Sequence, residues 1–331
     1  RLAVDNRLLF MGPDCGTAIL DGVPLGFANV VTRGAVGLVA ASGTGAQEVS
    51  RLLDLAGVGV SQLIGVGGRD LTAEVGGIMA NFALDLLDAD EGTEAIIVVS
   101  KPPADEVADA LLARLDSIAR RGKPVVACFL GMEDSEPANG STGVVVRGTL
   151  EGGAIAAARL AGHELIVKDL DPIEPVSGRV LGLYTGGTLA SEAKILLKRS
   201  HIDCEVLDLG DDQYTAGKPH PMIDPEARAE KIVAAGSDPS VGIVLLDVVL
   251  GHGANIDPSS PVAEAVREAR RTAEADGRRL EFVASVCGTP GDPQGISRQR
   301  DILRDAGIIL AETNASAVRF VAAQQAGVSA S

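Results

Sequence analysis

The sequence has no tryptophan, and aromatic residues make up only 2% of its 331 positions. Its cores must therefore be built from Val, Leu, Ile and Ala, which suits buried parallel strands covered by helices. Cysteine is scarce too. Cys15, Cys128, Cys204 and Cys287 are widely spaced, with no C-x-x-C pair. That gives neither a zinc signature nor a disulfide framework, and it points to a reducing, cytoplasmic setting. The four histidines are scattered, so no metal site is expected. No apolar run reaches the roughly 20 residues of a membrane-spanning helix, and no secretory leader is visible. Positive charge is in deficit: 29 Lys and Arg stand against 45 Asp and Glu, for a net charge of −16. This argues against nucleic acid or an anionic membrane as partner. It leaves room for a local phosphate site made of backbone N–H groups.

Glycine is abundant, at 40 residues, and it recurs where apolar runs end. The stretch Ala35–Gly57 sets the pattern. Val36–Ala41 reads as a buried strand, and it breaks at Ser42-Gly43-Thr44-Gly45. Val49, Leu52, Leu53 and Ala56 then follow at helical spacing. Thr44 with Gln47 fits a capping box, which makes Thr44 the expected helix N-cap. A glycine-lined turn delivered onto a helix N-terminus favours a phosphate or carboxylate. The same turn equally well makes a tight strand-to-helix connection without a ligand, and neither dinucleotide nor P-loop spacing is present.

Repeated strand–helix alternation predicts parallel sheets with helices on both faces. Residues 1–34 read as the tail of something upstream plus a connector, with a strand at Leu8–Met11. Residues 35–167 form a first domain, 168–178 a linker rich in Pro and acidic residues, and 179–331 a second domain. In the second domain Val180–Tyr184 runs into Thr185-Gly186-Gly187-Thr188, and Glu205–Leu209 closes on Gly210-Asp211-Asp212. SGTGAQEVSRLL pairs with TGGTLASEAKILL, GVGGRD with DLGDDQ, and IIVVSKPP with LLDVVLGHG. The halves thus read as a weak internal duplication, with ligands expected outside the carboxyl ends of the strands.

These segments resemble the succinyl-CoA synthetase (acyl-CoA synthetase) superfamily. Gly12-Pro13-Asp14-Cys15, the SGTG turn and GVGGRD are similar to its alpha subunit. YTGGTLASEA, VLDLGDD, LLDVVLGHG and SVCGT are similar to the carboxy-terminal domain of its beta subunit. An alpha-like and a beta-like ligase domain in one chain, with GRDL, VSKPP and GKPHPMIDP, resembles the FdrA-type proteins. The resemblance implies two flavodoxin-like α/β domains whose glycine turns converge, preceded by a Rossmann-like, CoA-binding domain ahead of Arg1. It implies phosphate binding at Ser42, Gly43, Thr44 and Gly45 and at Gly186, Gly187 and Thr188. Two departures stand out. Gly131–Thr142, where the synthetases carry their phosphorylated histidine, contains no histidine, and Ser100-Lys101 replaces an expected glutamate.

The resemblance to FdrA-type proteins implies a carbamoyltransferase component of allantoin catabolism, passing a carbamoyl group from carbamoyl phosphate to oxamate. The alternatives are an acyl-CoA synthetase-like ligase using CoA through the upstream domain, and a non-catalytic subunit that binds a phosphorylated metabolite. No bound cofactor is required beyond these substrates. A homodimer or a hetero-oligomer with other subunits is the expected assembly. Arg69 and Lys101 are the candidate cations, for the leaving phosphate or for a substrate carboxylate, and His220 is the candidate proton-transfer group. Each has a bland counterpart, a solvated charge or an idle loop histidine. Secondary candidates are Gly68, Asp70, Gly210, Asp211, His252 and Thr289. Asp70 and Asp211 read more simply as turn caps, and Cys287 as core filler.

Overall fold

The apolar run after Arg33 is buried, and it becomes an inner strand of the first of two sheets. The computed structural model describes residues 2–12, 15–137 and 143–329. Pro13, Asp14 and part of the Gly131–Thr142 loop lie outside them. The chain divides into two compact units, Arg1–Ile166 and Val167–Ser331.

The first unit runs α1 (Leu2–Asp5), β1 (Thr17–Leu20), β2 (Val23–Gly26), β3 (Arg33–Ala41), α2 (Gly43–Leu55), β4 (Val60–Gly65), α3 (Ile78–Ala89), β5 (Ala95–Ser100), α4 (Asp105–Arg120), β6 (Val125–Phe129), β7 (Val144–Arg147) and α5 (Leu150–Leu160). Its sheet order is β2-β1-β4-β3-β5-β6-β7. The strands from β4 to β7 are mutually parallel, in the 2-1-3-4-5 order of flavodoxin-like folds. Leu8–Met11 is not a strand. The strands of that stretch are β1 and β2, an antiparallel hairpin that adds to β4 through Ile19↔Leu63. Gly65 makes the approach fit: a Cβ there would lie 2.2 Å from the Thr17 carbonyl oxygen. Leu84 and Leu87 of α3 and Leu111, Leu115 and Ile118 of α4 bury against Ile96, Val98 and Phe129 on one face, while α2 and α5 pack together, α2 chiefly against β4 and α5 against β5 and β6.

The second unit runs β8 (Arg179–Tyr184), α6 (Gly187–Arg199), β9 (Cys204–Asp208), α7 (Asp212–Thr215), α8 (Glu226–Gly236), β10 (Val241–Val249), α9 (Ser259–Ala275), β11 (Glu281–Cys287), α10 (Ile296–Asp305), β12 (Ile309–Ala311) and α11 (Asn314–Ser329). Every pairing in the order β12-β11-β10-β8-β9 is parallel. This is 2-1-3-4-5 again, so β8, α6 and β9 stand where β3, α2 and β4 stand in the first unit. Val262, Val266 and Ala269 of α9 and Ile232 of α8 pack with Val244, Leu246 and Phe282 in one core.

Helix α3 starts at Ile78, after Thr72–Gly77 is spent on turns that end with Gly76 and Gly77 at φ 73° and 74°. Among the described residues no helix is long and apolar enough to cross a membrane.

Candidate functional site

The register of the first sheet sets which strand ends meet. Ala41 lies beside Ser100 and Ser100 beside Phe129, and the Val66 N–H donates to the Ala40 carbonyl at 2.8 Å. The turns at these strand ends, Ser42–Gly45, Gly67–Arg69 and Lys101, therefore leave the same edge of the sheet. The cap of α2 is Ser42, not Thr44. Ser42 is extended (φ −165°, ψ 114°), and its hydroxyl accepts the Gly45 N–H at 3.1 Å. Gln47 does not close a capping box either, because its amide donates to Asn29 Oδ1 at 3.2 Å. With Gly45 so used, Gly43 and Thr44 are the first positions of the helix, and the Gly43 N–H has no intrahelical acceptor. Both are half-buried. Arg69 and Lys101 are exposed, and neither makes an ion pair among the described residues. Gly68 is exposed beside Arg69.

Asp70 is buried, only 5% exposed, and its two carboxylate oxygens accept the Met79 and Ala80 N–H groups at 2.9 and 2.8 Å. It thus caps α3, whose own N-cap, Gly77, has no side chain to do so. Burial pushes its carboxyl above the ordinary 3.8, against the lowering effect of those two amides. A helix N-terminus that resembles an anion site is here filled by the chain's own carboxylate.

The same device recurs in the second unit. Strand order reverses between β8 and β10, the crevice where open α/β sheets hold ligands. Asp247 of β10 lies there, with no exposed surface. Its carboxylate accepts the Thr185 N–H at 2.8 Å, the Gly186 N–H at 2.7 Å and the Thr185 hydroxyl at 3.1 Å. Arg228, 2% exposed, donates to its carboxylate at 3.2 Å and to its backbone carbonyl at 2.5 Å. The Gly186 N–H is thereby committed, and Gly187 and Thr188 are the first residues of α6. Thr188 is buried and Gly187 half-buried.

His220 is held at this edge. A Cβ on Gly210 would lie 2.5 Å from its Nε2 and 2.9 Å from the Thr185 carbonyl oxygen, so glycine lets the imidazole reach the end of β8. The Met222 N–H donates to Nδ1 at 3.2 Å. The neutral ring therefore carries its proton on Nε2. Burial lowers its pKa from the ordinary 6.5, while the Asp247 carboxylate acts in the opposite direction. Asp211 caps the short α7 through the Gln213 N–H. His252 is exposed at the end of β10. Thr289 is buried, its N–H held by Asp292 at 2.7 Å. Among the described residues no group of His, Cys, Asp and Glu is arranged to hold a metal.

Comparison with known proteins agrees with this architecture. A CoA-ligase family model matches residues 183–324, and a CoA-binding-domain model matches residues 32–129. The uncharacterized protein YahF of Escherichia coli K12 is 40% identical over 95% of this chain and 66% of its own length. The chain is an FdrA-type member of the succinyl-CoA synthetase superfamily. An ADP-forming sulfoacetate-CoA ligase subunit of Bilophila wadsworthia is 32% identical over 44% of the chain and 50% of that subunit. The alpha 1 subunit of an ADP-forming succinate–CoA ligase of Archaeoglobus fulgidus is 29% identical over 51% of the chain and 58% of that subunit. The chain spans less than two thirds of each of these relatives. The activities named among them are CoA ligations, so a ligase-type reading is better supported than carbamoyl transfer.

For this synthetase-family chain the sequence missed Asp247, Arg228 and the capping role of Ser42. An Asp inside the apolar run Val241–Val249 was the available signal. A carboxylate in a buried parallel strand must be paired, and the groups nearest a strand end are the turn amides of its neighbour.

Proposed function

We propose that this chain supplies the ligase portion of an acyl-CoA synthetase-like enzyme and holds the phosphate of an acyl phosphate at the start of α2. The observation that carries this reading is the Ser42–Gly45 turn. It presents a glycine-lined helix N-terminus beside two cations, Arg69 and Lys101, that no acidic residue pairs with among the described residues. A phosphate-sized anion would be held there by the Gly43 N–H, with the helix dipole favouring the negative charge and Lys101 offsetting the charge that develops on the leaving phosphate. In the reaction a thiol sulfur attacks the acyl carbon, the carbon–oxygen bond to phosphorus breaks, and phosphate leaves with the electron pair. CoA is the second substrate. We infer further that the chain works within a homo- or hetero-oligomer, and that His220 exchanges a proton at the edge of its own unit through Nε2.

One observation favours a second reading. Gly131–Thr142 carries no histidine, so a phosphorylated histidine cannot form on that loop. A ready-made acyl phosphate would bypass the relay. Carbamoyl phosphate is one: the oxamate nitrogen attacks its carbonyl carbon, phosphate leaves, and the nitrogen loses a proton to give oxalurate. The same turn would hold the same leaving group.

A two-arm assay on the full-length protein with its co-purifying partners separates these readings. One arm offers CoA with acyl phosphates, or with ATP and carboxylic acids. The other offers carbamoyl phosphate and oxamate. Thioester in the first arm is the expected result. Oxalurate without thioester would replace the ligase reading with the second, and phosphate binding with no turnover in either arm would make the chain a binding subunit.

A further inference from the structure

One cavity of the first unit opens beside Arg69. Val4 and Phe10 of the amino-terminal stretch, Val66 at the end of β4, and Val75, Ile78 and Met79 around the start of α3 wall a pocket of about 200 Å³. That is smaller than a drug-sized site and suited to a small metabolite. Its rim is also apolar, with Val4, Phe10 and Ile78 each about half exposed (50%, 56% and 48%).

Two charged residues stand in the wall, Arg69 and Asp70. They are not equivalent. Both oxygens of Asp70 are occupied by the Met79 and Ala80 amides, so its charge is offset by the start of α3. Arg69 offers its carbonyl oxygen to Thr72, but its guanidinium makes no ion pair among the described residues. The pocket is therefore an apolar pouch with one uncommitted, planar cation of the kind that grips carboxylates through two parallel hydrogen bonds.

We propose that this pocket binds a short aliphatic monocarboxylate, with the carboxylate on Arg69 and the hydrocarbon tail against Val66, Val75 and Met79. A dicarboxylate fits poorly, because its second charge would be buried against apolar walls with no second free cation in the lining. Oxamate fits poorly as well, because it has no hydrocarbon to bury. The pocket lies next to the phosphate turn: the Val66 N–H bonds Ala40, two residues before Ser42. A carboxylate held on Arg69 faces the same sheet edge as Gly43 and Lys101. That this acid is the group to be activated rests on the ligase reading. That it binds does not.

Titration of the full chain by ligand-observed NMR tests the proposal, using acetate, propionate, butyrate and pentanoate, with succinate and oxamate as comparators. Affinity should rise about fourfold per added methylene until the pocket is full. Arg69→Gln should weaken butyrate about tenfold or more, and Val75→Phe should remove its binding. Arg69 is exposed and its side chain holds nothing in the fold, so Arg69→Gln should melt where the wild type does. Equal butyrate binding by wild type and Arg69→Gln, indifference to tail length, or tighter binding of succinate or oxamate would each overturn the proposal. Tail-dependent binding without thioester formation in the turnover assay would overturn the ligase reading and leave the pocket standing. Thioester formation without any preference for monocarboxylates would do the reverse.

Discussion

At the scale of single residues, the second unit depends on one buried carboxylate. Asp247 satisfies the turn amides of Thr185 and Gly186 and compensates the charge of Arg228. Asp247→Ala removes all of this at once and leaves a guanidinium buried without its carboxylate, at a cost of about 3–5 kcal/mol. Arg228→Met should cost less, because the carboxylate keeps its donors from Thr185 and Gly186. Denaturant unfolding of the two variants checks this order, and equal midpoints for Asp247→Ala and the wild type would contradict it. His220 makes a pH-dependent contribution. Its folded pKa lies below the ordinary 6.5 because burial disfavours the cation, so the native state binds fewer protons in that window than the unfolded chain. The stabilisation is complete above about pH 6.5 and is lost as pH falls through the folded value. The wild type should therefore lose more stability than His220→Gln between pH 8 and pH 5. Parallel loss in both would show that the imidazole titrates alike in the folded and unfolded states.

At the scale of elements, helix starts decide the geometry. α2 is capped by Ser42 from within the turn, whereas α3 is capped by Asp70 from nine and ten residues upstream. Asp70→Ala orphans two buried amides, and we expect a loss of about 2–4 kcal/mol, with Asp70→Asn recovering part of it. Stability unchanged in Asp70→Ala would mean that α3 finds another cap. Periodicity made most of this legible. The run Val36–Ala41, the glycine stops and the repeated βα units were enough to expect parallel sheets with helices on both faces, the family resemblance implied two flavodoxin-like domains, and both sheets have the 2-1-3-4-5 order. The hairpin β1–β2 was not legible. Thr17–Leu20 and Val23–Gly26 are short, and their strand character comes from pairing with each other and, for β1, with β4, which Gly65 permits. The polar face of α2 was not legible either. Gln47, Glu48, Ser50 and Arg51 follow the pattern of a solvated face, yet all are buried, with Glu48 and Arg51 in an ion pair at 2.5 Å. In the candidate site, the turns and the cations Arg69 and Lys101 were readable from their place after strands. Asp70 was readable as a cap but not as the cap of α3, and Asp247 was signalled only by its place in an apolar run, because a carboxylate that caps at long range has no local spacing.

At the scale of the whole molecule, a chain with a net charge of −16 repels anions in general, so any phosphate it retains must be held by local geometry. Of the helix starts α2, α3 and α6, the last two have amides already taken by Asp70 and Asp247. The amides that Asp247 takes are those of Thr185 and Gly186, ahead of α6, and we propose the α2 turn as the principal phosphate seat, which a single substitution tests. A Cβ on Gly43 would meet nothing closer than the Thr17 hydroxyl, at 3.4 Å, so Gly43→Val should fold while crowding the first amide of the cradle. The measurement is titration of the wild type and Gly43→Val with inorganic phosphate and acetyl phosphate, followed by phosphorus NMR, with melting temperatures recorded alongside. The account predicts saturable binding by the wild type, weakened about tenfold or more in the variant, and melting that is nearly unchanged. Equal affinity in the two proteins would contradict it and remove the α2 turn as the seat of the reaction.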